Sequence, residues 1–311
     1  MAIRALGPAS LSVAQAVRVL PASAWLVGCS GGPDSLALAW AAAQVARSRD
    51  TPVRALVIDH GLQGESDRTA AAVAAQLAAR GIPAEVRRVS VDRTGRGVEA
   101  AARDARYAAF GEVRRPDECV LLGHTLDDQA ETVLLGIARG SGLRSLAGMA
   151  PERGPYRRPL LGLRRATTQA ACTEQGLTPW FDPHNQDTSF ARVRVRSQVL
   201  PVLEEALGPG IAESLARTAR LAQADADLLE GLAGEGGDDP HCGYLHGLDP
   251  ALRARKLHRW ILACGGSDLS ATHLSAVERL ITAWHGQRGV DVPGGRVLRM
   301  DGRLKWRSSS G

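Results

Sequence analysis

Trp25-Leu26-Val27-Gly28-Cys29-Ser30-Gly31-Gly32-Pro33-Asp34-Ser35 leads directly into an alanine-rich stretch from Leu36 to Arg47, the order of a strand, a tight turn and a helix start. Two adjacent glycines let the backbone take positive φ and come close to a ligand. The serines and the free N–H groups of the first helical turn offer donors to an anion such as a phosphate or pyrophosphate. Gly-Gly-Pro can also be a plain connecting turn with Asp34 or Ser35 as the helix cap; serine at both ends and the interior Asp favour the anion site. A Walker-type loop is excluded, because it ends in Lys-Ser or Lys-Thr and the lysines of this chain are Lys256 and Lys305. The Gly-x-Gly-x-x-Gly dinucleotide spacing is absent as well.

Outward from this turn the chain alternates apolar runs with helical ones. Val53 to Ile58 reads as a buried strand, Ser66 to Arg80 as a helix closed by Gly81, and Ala84 to Val91 as a strand. A helix from Val98 to Arg114, a strand from Val120 to Gly123 and a helix from Leu126 to Arg139 capped by Gly140 follow. This βαβαβ order predicts an α/β fold: an open, mostly parallel sheet with helices on both faces and ligands at the carboxyl ends of its strands. Three candidate groups fall at such ends: Ser30 to Ser35, then Asp59-His60-Gly61, then His124. A lone strand-end Asp or His is commonly a turn or cap residue; three groups on one edge describe a cleft.

Past Gly142 the sequence is turn-rich. Arg157-Arg158-Pro159-Leu160-Leu161 precedes a helix from Arg164 to Gln175, and the segment from Asp182 to Arg196 feeds a helix ending at Leu207. Gly208-Pro209-Gly210 is the strongest linker signal, giving expected domains 1–207 and 208–311. The second should be smaller and mainly helical, with helices over Ile211 to Leu232, Pro250 to Ala263 and Leu269 to His285 around a loop from Gly234 to Asp239. It should end in a β-meander from Val290-Asp291-Val292, Arg296 to Met300 and Arg303 to Trp306.

Composition limits the rest. The net charge of +5 is carried almost wholly by arginine, which suits phosphate and base contacts, although a basic, alanine-rich composition also follows from genome bias. Five cysteines (Cys29, Cys119, Cys172, Cys242, Cys264) form no CxxC pair and show no zinc spacing, so they read as reduced thiols. No span approaches the roughly 20 apolar residues of a membrane helix, and the first twenty or so residues lack a signal-peptide core. A cytoplasmic protein with no membrane partner is expected.

A second constellation starts at the end of the fourth strand: His124-Thr125-Leu126-Asp127-Asp128-Gln129-Ala130-Glu131-Thr132. Asp128 and Glu131, three apart on a helix, share a face and can hold an ammonium together. Asp127 and Asp128 also complement the helix dipole, which would explain them without a ligand. The glycine turn resembles the SGGxDS loop of the ATP-pyrophosphatase (PP-loop) superfamily. Together with Asp59-His60-Gly61, Glu99, Ala102 to Tyr107, His124 to Thr132, Arg139-Gly140-Ser141-Gly142-Leu143, Arg158-Pro159-Leu160 and Asp182 through Arg196, it resembles the tRNA(Ile)-lysidine synthetase family over about residues 24–207. The family usually has Asn where this chain has Val193.

The resemblance implies an ATP-dependent ligase, with Mg²⁺, that joins free L-lysine to C2 of the wobble cytidine of tRNA(Ile) with a CAU anticodon, through an adenylated cytidine, releasing pyrophosphate and AMP. It implies ATP phosphates on Ser30, Gly31, Gly32, Pro33, Asp34 and Ser35, Mg²⁺ on Asp34, and lysine on Asp128 and Glu131. Arg106 would stand near the reacting centre; as a bare sequence feature it could equally pair with Asp104 or Glu99 on a helix surface. Asp59, His60 and His124 would shape the nucleotide pocket, though strand-end histidines are often structural. Arg192, Arg194 and Arg196 would meet tRNA phosphates, or form a solvated basic face, since helix residues two apart diverge. The second domain, with Arg253, Arg255, Lys256 and Arg259, would dock the tRNA body. A homodimer is compatible with the resemblance. A base-thiolating relative would carry paired cysteines or an iron–sulfur cluster, and a decayed binding module would have lost polar positions that are all present.

Overall fold

The computed structural model describes residues 6–61, 65–90, 98–140, 142–182, 186–234 and 238–309, with the side chains of 98–100 outside that description. The Glu99 side chain, Val91, Ser141, residues 183–185 of the segment before Arg192, and residues 235–237 of the expected loop therefore lie outside the described residues. By Cα proximity the chain divides into two compact units, 1–222 and 223–311.

The first unit opens with α1 (Pro8–Arg18), β1 (Ala24–Gly28), α2 (Pro33–Arg49), β2 (Val53–Asp59), α3 (Ser66–Ala78) and β3 (Ala84–Arg88). It continues with α4 (Val98–Val113), β4 (Glu118–Leu122), α5 (Leu126–Ala138), the single turn α6 (Leu143–Leu146), and the short strands β5 (Glu152–Arg153) and β6 (Tyr156–Arg157). A 3₁₀ turn at Pro159–Gly162 precedes α7 (Arg165–Glu174). Then α8 (Ala191–Arg194), a π-type turn over Val195–Val199 and α9 (Leu200–Leu207) follow, and α10 (Ile211–Ala233) contains the division between the units. The Gly208-Pro209-Gly210 turn lies between α9 and α10.

The sheet order is β3-β2-β1-β4-β6-β5. β1 to β4 and β6 are parallel, and β5 joins β6 antiparallel. Alternation along each strand assigns the faces. Trp25, Val27, Ala55, Val57 and Leu121 pack with α1, α2, α3 and α7, whereas Leu26, Leu56, Val120 and Leu122 pack with Phe110 and Tyr107 of α4. Helix α2 is covered all round, with Leu36 to Ala43 all buried; its alanine-rich composition permits this, because small side chains let a helix sit between the sheet and two other helices. The strand order reverses between β1 and β4, so the chain turns at their carboxyl ends diverge and leave a crevice.

The second unit contains α11 (Cys242–Gly247), α12 (Pro250–Ala263), α13 (Ala271–Thr282), β7 (Val290–Val292), β8 (Gly295–Met300) and β9 (Arg303–Ser308). The strands form an antiparallel sheet in sequence order, packed on Leu245, Leu257, Trp260, Ile261, Val277 and Leu280. Asp249 caps α12, accepting from the Ala251 N–H at 3.2 Å, and Pro250 supplies the first helical residue. The expected helical unit with a terminal meander is present. Elements not foreseen are α1, α6, α11 and the β5–β6 hairpin.

Candidate functional site

The chain turn after β1 is built as the sequence suggests. Gly31 takes φ +83°, and a Cβ there would sit 2.4 Å from Val73 Cγ2, so both conformation and space require glycine. The Gly31 carbonyl accepts from the Trp180 N–H at 2.9 Å. A trans peptide sets C=O and the next N–H in opposite directions, so the Gly32 N–H is turned away from Trp180. Ser35 Oγ lies 3.0 Å from the Gly32 carbonyl, accepts from the Ser30 N–H at 3.1 Å and stands 3.3 Å from Ser30 Oγ. The serines at both ends thus lock the turn. Across it, Gly123 at the end of β4 lets the two turns approach: a Cβ there would stand 3.1 Å from Asp34 backbone atoms.

These turns open into a cavity of ≈ 640 Å³. Ser30, Gly32, Pro33, Asp34, Ser35, Asp59, His60, Arg106, His124, Asp128, Arg192 and Arg196 all line it; Gly31 and Glu131 are buried and do not, and Arg194 lies apart. Asp59 Oδ1 accepts from the Gly61 N–H at 2.9 Å, closing the turn after β2. His60 and His124 each present a buried Nδ1 with no partner among the described residues. Burial holds His124 neutral, moving its pKa down to about 3 with help from Arg158, Arg106 and Arg192 against the pull of Asp128. Burial also lowers His60, with Arg106 adding to the effect. A cavity lined by these polar and charged side chains suits a ligand carrying its own hydrogen-bonding groups.

The carboxylates are not free. Asp34 accepts from Thr168 Oγ1 and lies 3.5 Å from Arg165 Nε; burial nevertheless pushes its pKa up to about 6. Asp128 Oδ2 takes the Thr125 N–H and hydroxyl, each at 2.8 Å, completing the capping box of α5, and Oδ1 takes Arg165 Nη2 at 2.9 Å. Burial works to raise Asp128, yet Arg165, Arg192 and the Thr125 N–H outweigh it and hold the carboxyl below its usual range. Glu131 is engaged by Arg192 Nε at 2.8 Å and by Arg196 at 2.7 and 3.1 Å.

Arg192 and Arg196 share a helix face because they are four apart. Arg194 turns the other way and donates to the Thr188 and Ser189 carbonyls at 2.7 and 2.6 Å. Val193, also on that helix, is buried. Arg106 shows no ion pair with Asp104 among the described residues; burial first, then Arg103, Arg192 and Arg158, push its pKa down, Tyr107 opposing. Among the described residues no carboxylate pairs with it, and it lines the cavity. Arg165, Thr168, Gln169, Trp180 and Phe181 were not singled out from sequence; the last two follow a helix in a turn-rich stretch with no periodic signal.

In the second unit the expected docking cations are mostly spent on the fold. Arg253 is buried on Glu278 at 2.7 Å, Lys256 donates to the Ala233 carbonyl at 2.9 Å, and Arg259 pairs with Glu230 at 3.2 Å.

Comparison with known proteins agrees with this geometry. A family model described as a PP-loop domain matches residues 8–203, and one described as a TilS substrate binding domain matches residues 241–304. The tRNA(Ile)-lysidine synthase of Mycolicibacterium paratuberculosis is 50% identical over 297 residues, covering 91% of this chain and 90% of that protein. That of Thermobifida fusca is 50% identical over 307 residues, 94% of each chain. Among solved structures, the U34-tRNA thiolase NcsA from Methanococcus maripaludis with its [4Fe-4S] cluster aligns with a TM-score of 0.53 at 17% identity, covering 69% of this chain and 80% of that one, a likeness of fold alone. Half of all positions shared along nearly the whole length, with both halves of the architecture matched in order, is a relationship of family and not only of fold: this chain belongs to the tRNA(Ile)-lysidine synthases.

Proposed function

We propose that this chain joins L-lysine to C2 of the wobble cytidine of a CAU-anticodon tRNA(Ile) at the expense of ATP, in the cleft at the ends of β1, β2 and β4. The observation that carries the assignment is the meeting of the glycine turn with the Asp34–Arg165–Asp128–Glu131 ion network in one cavity. In this reading the ATP phosphates rest on Ser30, Gly31, Gly32, Pro33 and Ser35 at the start of α2, where the backbone N–H groups and dipole favour an anion. Asp59, His60 and His124, which line the cavity, border the nucleoside.

Asp34 would hold Mg²⁺. A single incompletely compensated carboxylate beside a phosphate site suits an ion that is commonly held by one or two carboxylates plus substrate phosphates. When bound, the ion would neutralise charge on the leaving pyrophosphate.

The cytidine C2 oxygen attacks the α-phosphorus, the bond to the β-phosphate oxygen breaks, and pyrophosphate departs. The ε-amine of lysine then forms the C2–N bond while the C2–O bond breaks and AMP carries the oxygen away. Arg106, buried at the cavity wall, stabilises negative charge developing on phosphate. The lysine amine must lose a proton from an ammonium whose free pKa is about 10.4. Asp128 orients it, and Arg192 and Arg196, which Glu131 holds around that spot, lower its proton affinity by like-charge repulsion. Arg194, exposed on the far side of the same helix, would meet the RNA backbone separately.

Purified protein incubated with ATP, Mg²⁺, labelled lysine and CAU-anticodon tRNA(Ile) should place label in the RNA, with one AMP and one pyrophosphate per lysine. Label without ATP consumption, or pyrophosphate release without label in RNA, overturns the assignment.

A further inference from the structure

The oxygens around the amine end of the cleft are unequally available. Both Asp128 Oδ2 contacts are spent on capping α5, and Glu131 is 0% exposed behind Arg192 and Arg196. An incoming ammonium can therefore reach Asp128 Oδ1, which accepts from Arg165 Nη2 at 2.9 Å, with Arg196 and Arg192 at 3.7 and 4.0 Å. The neighbouring nitrogen of the same guanidinium faces the nucleotide end: Arg165 Nε lies 3.5 Å from Asp34 Oδ2, in the first turn of α2. Its backbone is fixed at both sides, the N–H donating to Asp127 Oδ2 at 2.7 Å and the carbonyl accepting from Thr168 Oγ1 at 2.7 Å. An anchored backbone with a guanidinium shared between two ends of one cavity is free to move only at the side chain.

We propose that Arg165 is a positioning residue that couples the two substrates: before nucleotide binds, its fork occupies the ammonium position on Asp128, and the phosphates of ATP draw the fork away and open Asp128 Oδ1 to the lysine amine. The inference rests on the lysidine reading of the cleft. A triphosphate beside Asp34 offers the guanidinium a more highly charged partner with matching bidentate geometry than a carboxylate already shared with Thr125. The amine would then be admitted only when the nucleotide that activates its target is in place.

The test is equilibrium dialysis of labelled L-lysine against the full chain, with and without Mg²⁺ and α,β-methylene-ATP, which resists cleavage at the bond the reaction breaks. The wild-type protein should bind lysine about tenfold or more tighter with the analogue, and lysine should tighten the analogue by the same factor. Arg165→Gln should bind lysine equally in both conditions, to within about twofold, and more tightly than wild type when nucleotide is absent, because the occupant is gone. A residue that merely braces the site would lower both affinities and leave their ratio intact, and that result overturns the proposal. Should the Gln variant not fold, Arg165→Lys, which cannot fork across Asp128 and Glu131, should show the coupling reduced about threefold or more; undiminished coupling overturns it equally. Lysidine formation by the same wild-type preparation separates the two ideas. Product formed together with nucleotide-independent lysine affinity sinks the coupling alone, and no product sinks the lysidine reading and the coupling with it.

Discussion

Gly31 and Asp34 carry opposite lessons about single residues. At Gly31 the backbone sits at φ +83° and Val73 leaves no room for a Cβ, so Gly31→Ala meets both a conformational cost of about 1–3 kcal/mol and a clash. Denaturant titration should show that loss, and ATP binding should weaken with it. Gly31→Ala combined with Val73→Ala removes the clash but not the φ cost, so it should recover only part of the stability. Asp34 is a charged group held in an unfavourable place. Its pKa rises from 3.8 to about 6 because burial outweighs Thr168 and Arg165, so the folded state prefers the protonated form. A raised folded pKa gives a contribution that is full below 3.8 and lost as pH climbs through about 6. The stability of Asp34→Asn relative to wild type should therefore improve between pH 4 and 7 by something on the order of 3 kcal/mol, measured without nucleotide. Pyrophosphate release should be lost in the same variant. The Ser-Gly-Gly turn was legible because a positive-φ glycine between serines at a strand end has few other uses. That Asp34 would be shared with Arg165 was not, because the two are joined only by the folding of α7 onto α2.

Elements hold the site through buried ion pairs whose loss is costly. In β4, Glu118 is 4% exposed and accepts from Arg54 of β2 at 2.6 and 2.7 Å, which holds its carboxyl below the usual range. Arg54→Ala leaves that carboxylate without its partner and should destabilise the first unit by about 3–5 kcal/mol. A depressed pKa means the pair contributes above 4.5 and fades as pH falls below it, so wild type and variant should converge in acid thermal melts. Glu131 of α5 does the same for three arginines, Arg165 of α7, Arg192 of α8 and Arg196 of the π-type turn. Glu131→Gln should lower pyrophosphate release together with lysine incorporation, because the arginines it restrains border both ends of the cleft; a variant that lost only lysine use would place Glu131 in direct contact with substrate instead. Long elements such as α2, α5, α10 and α12 were visible in sequence from their composition and caps. The two-residue strands β5 and β6 carry too few positions for any period to register. Helix-face geometry, by contrast, correctly warned that Arg192, Arg194 and Arg196 could not all point one way.

For the molecule as a whole, RNA attraction needs cations that the fold does not consume. Arg253, Lys256 and Arg259 are committed to contacts within the second unit. The meander offers another set, partly engaged in its turn: Arg303 donates to the Asp239 carbonyl at 2.8 Å, Lys305 pairs with Asp239 and Arg296 with Asp291 at 3.4 Å. Leu304 and Trp306 face the core of that unit, so alternation puts Arg303, Lys305 and Arg307 on the opposite sheet face, with Arg296 of β8 directly across from Arg307. Arg303 and Arg307 are exposed; the part of the chain matched as a TilS substrate binding domain reaches residue 304, so it includes Arg303 and stops short of Arg307. Phosphate contacts release counterions, each adding about 0.7–0.9 to the dependence of log affinity on log salt. Replacing Arg303 and Arg307 together with alanine should therefore weaken tRNA binding and flatten its salt slope by about 1–2, as read from filter binding between low and moderate salt. Lysidine formation at saturating tRNA should be retained, because both residues belong to a unit separate from the one that carries the glycine turn and the arginine network. An unchanged slope would mean that this sheet face does not touch the phosphate backbone, and the electrostatic attraction would then have to come from other exposed arginines, such as Arg279 and Arg288 of the second unit or Arg194 of the first.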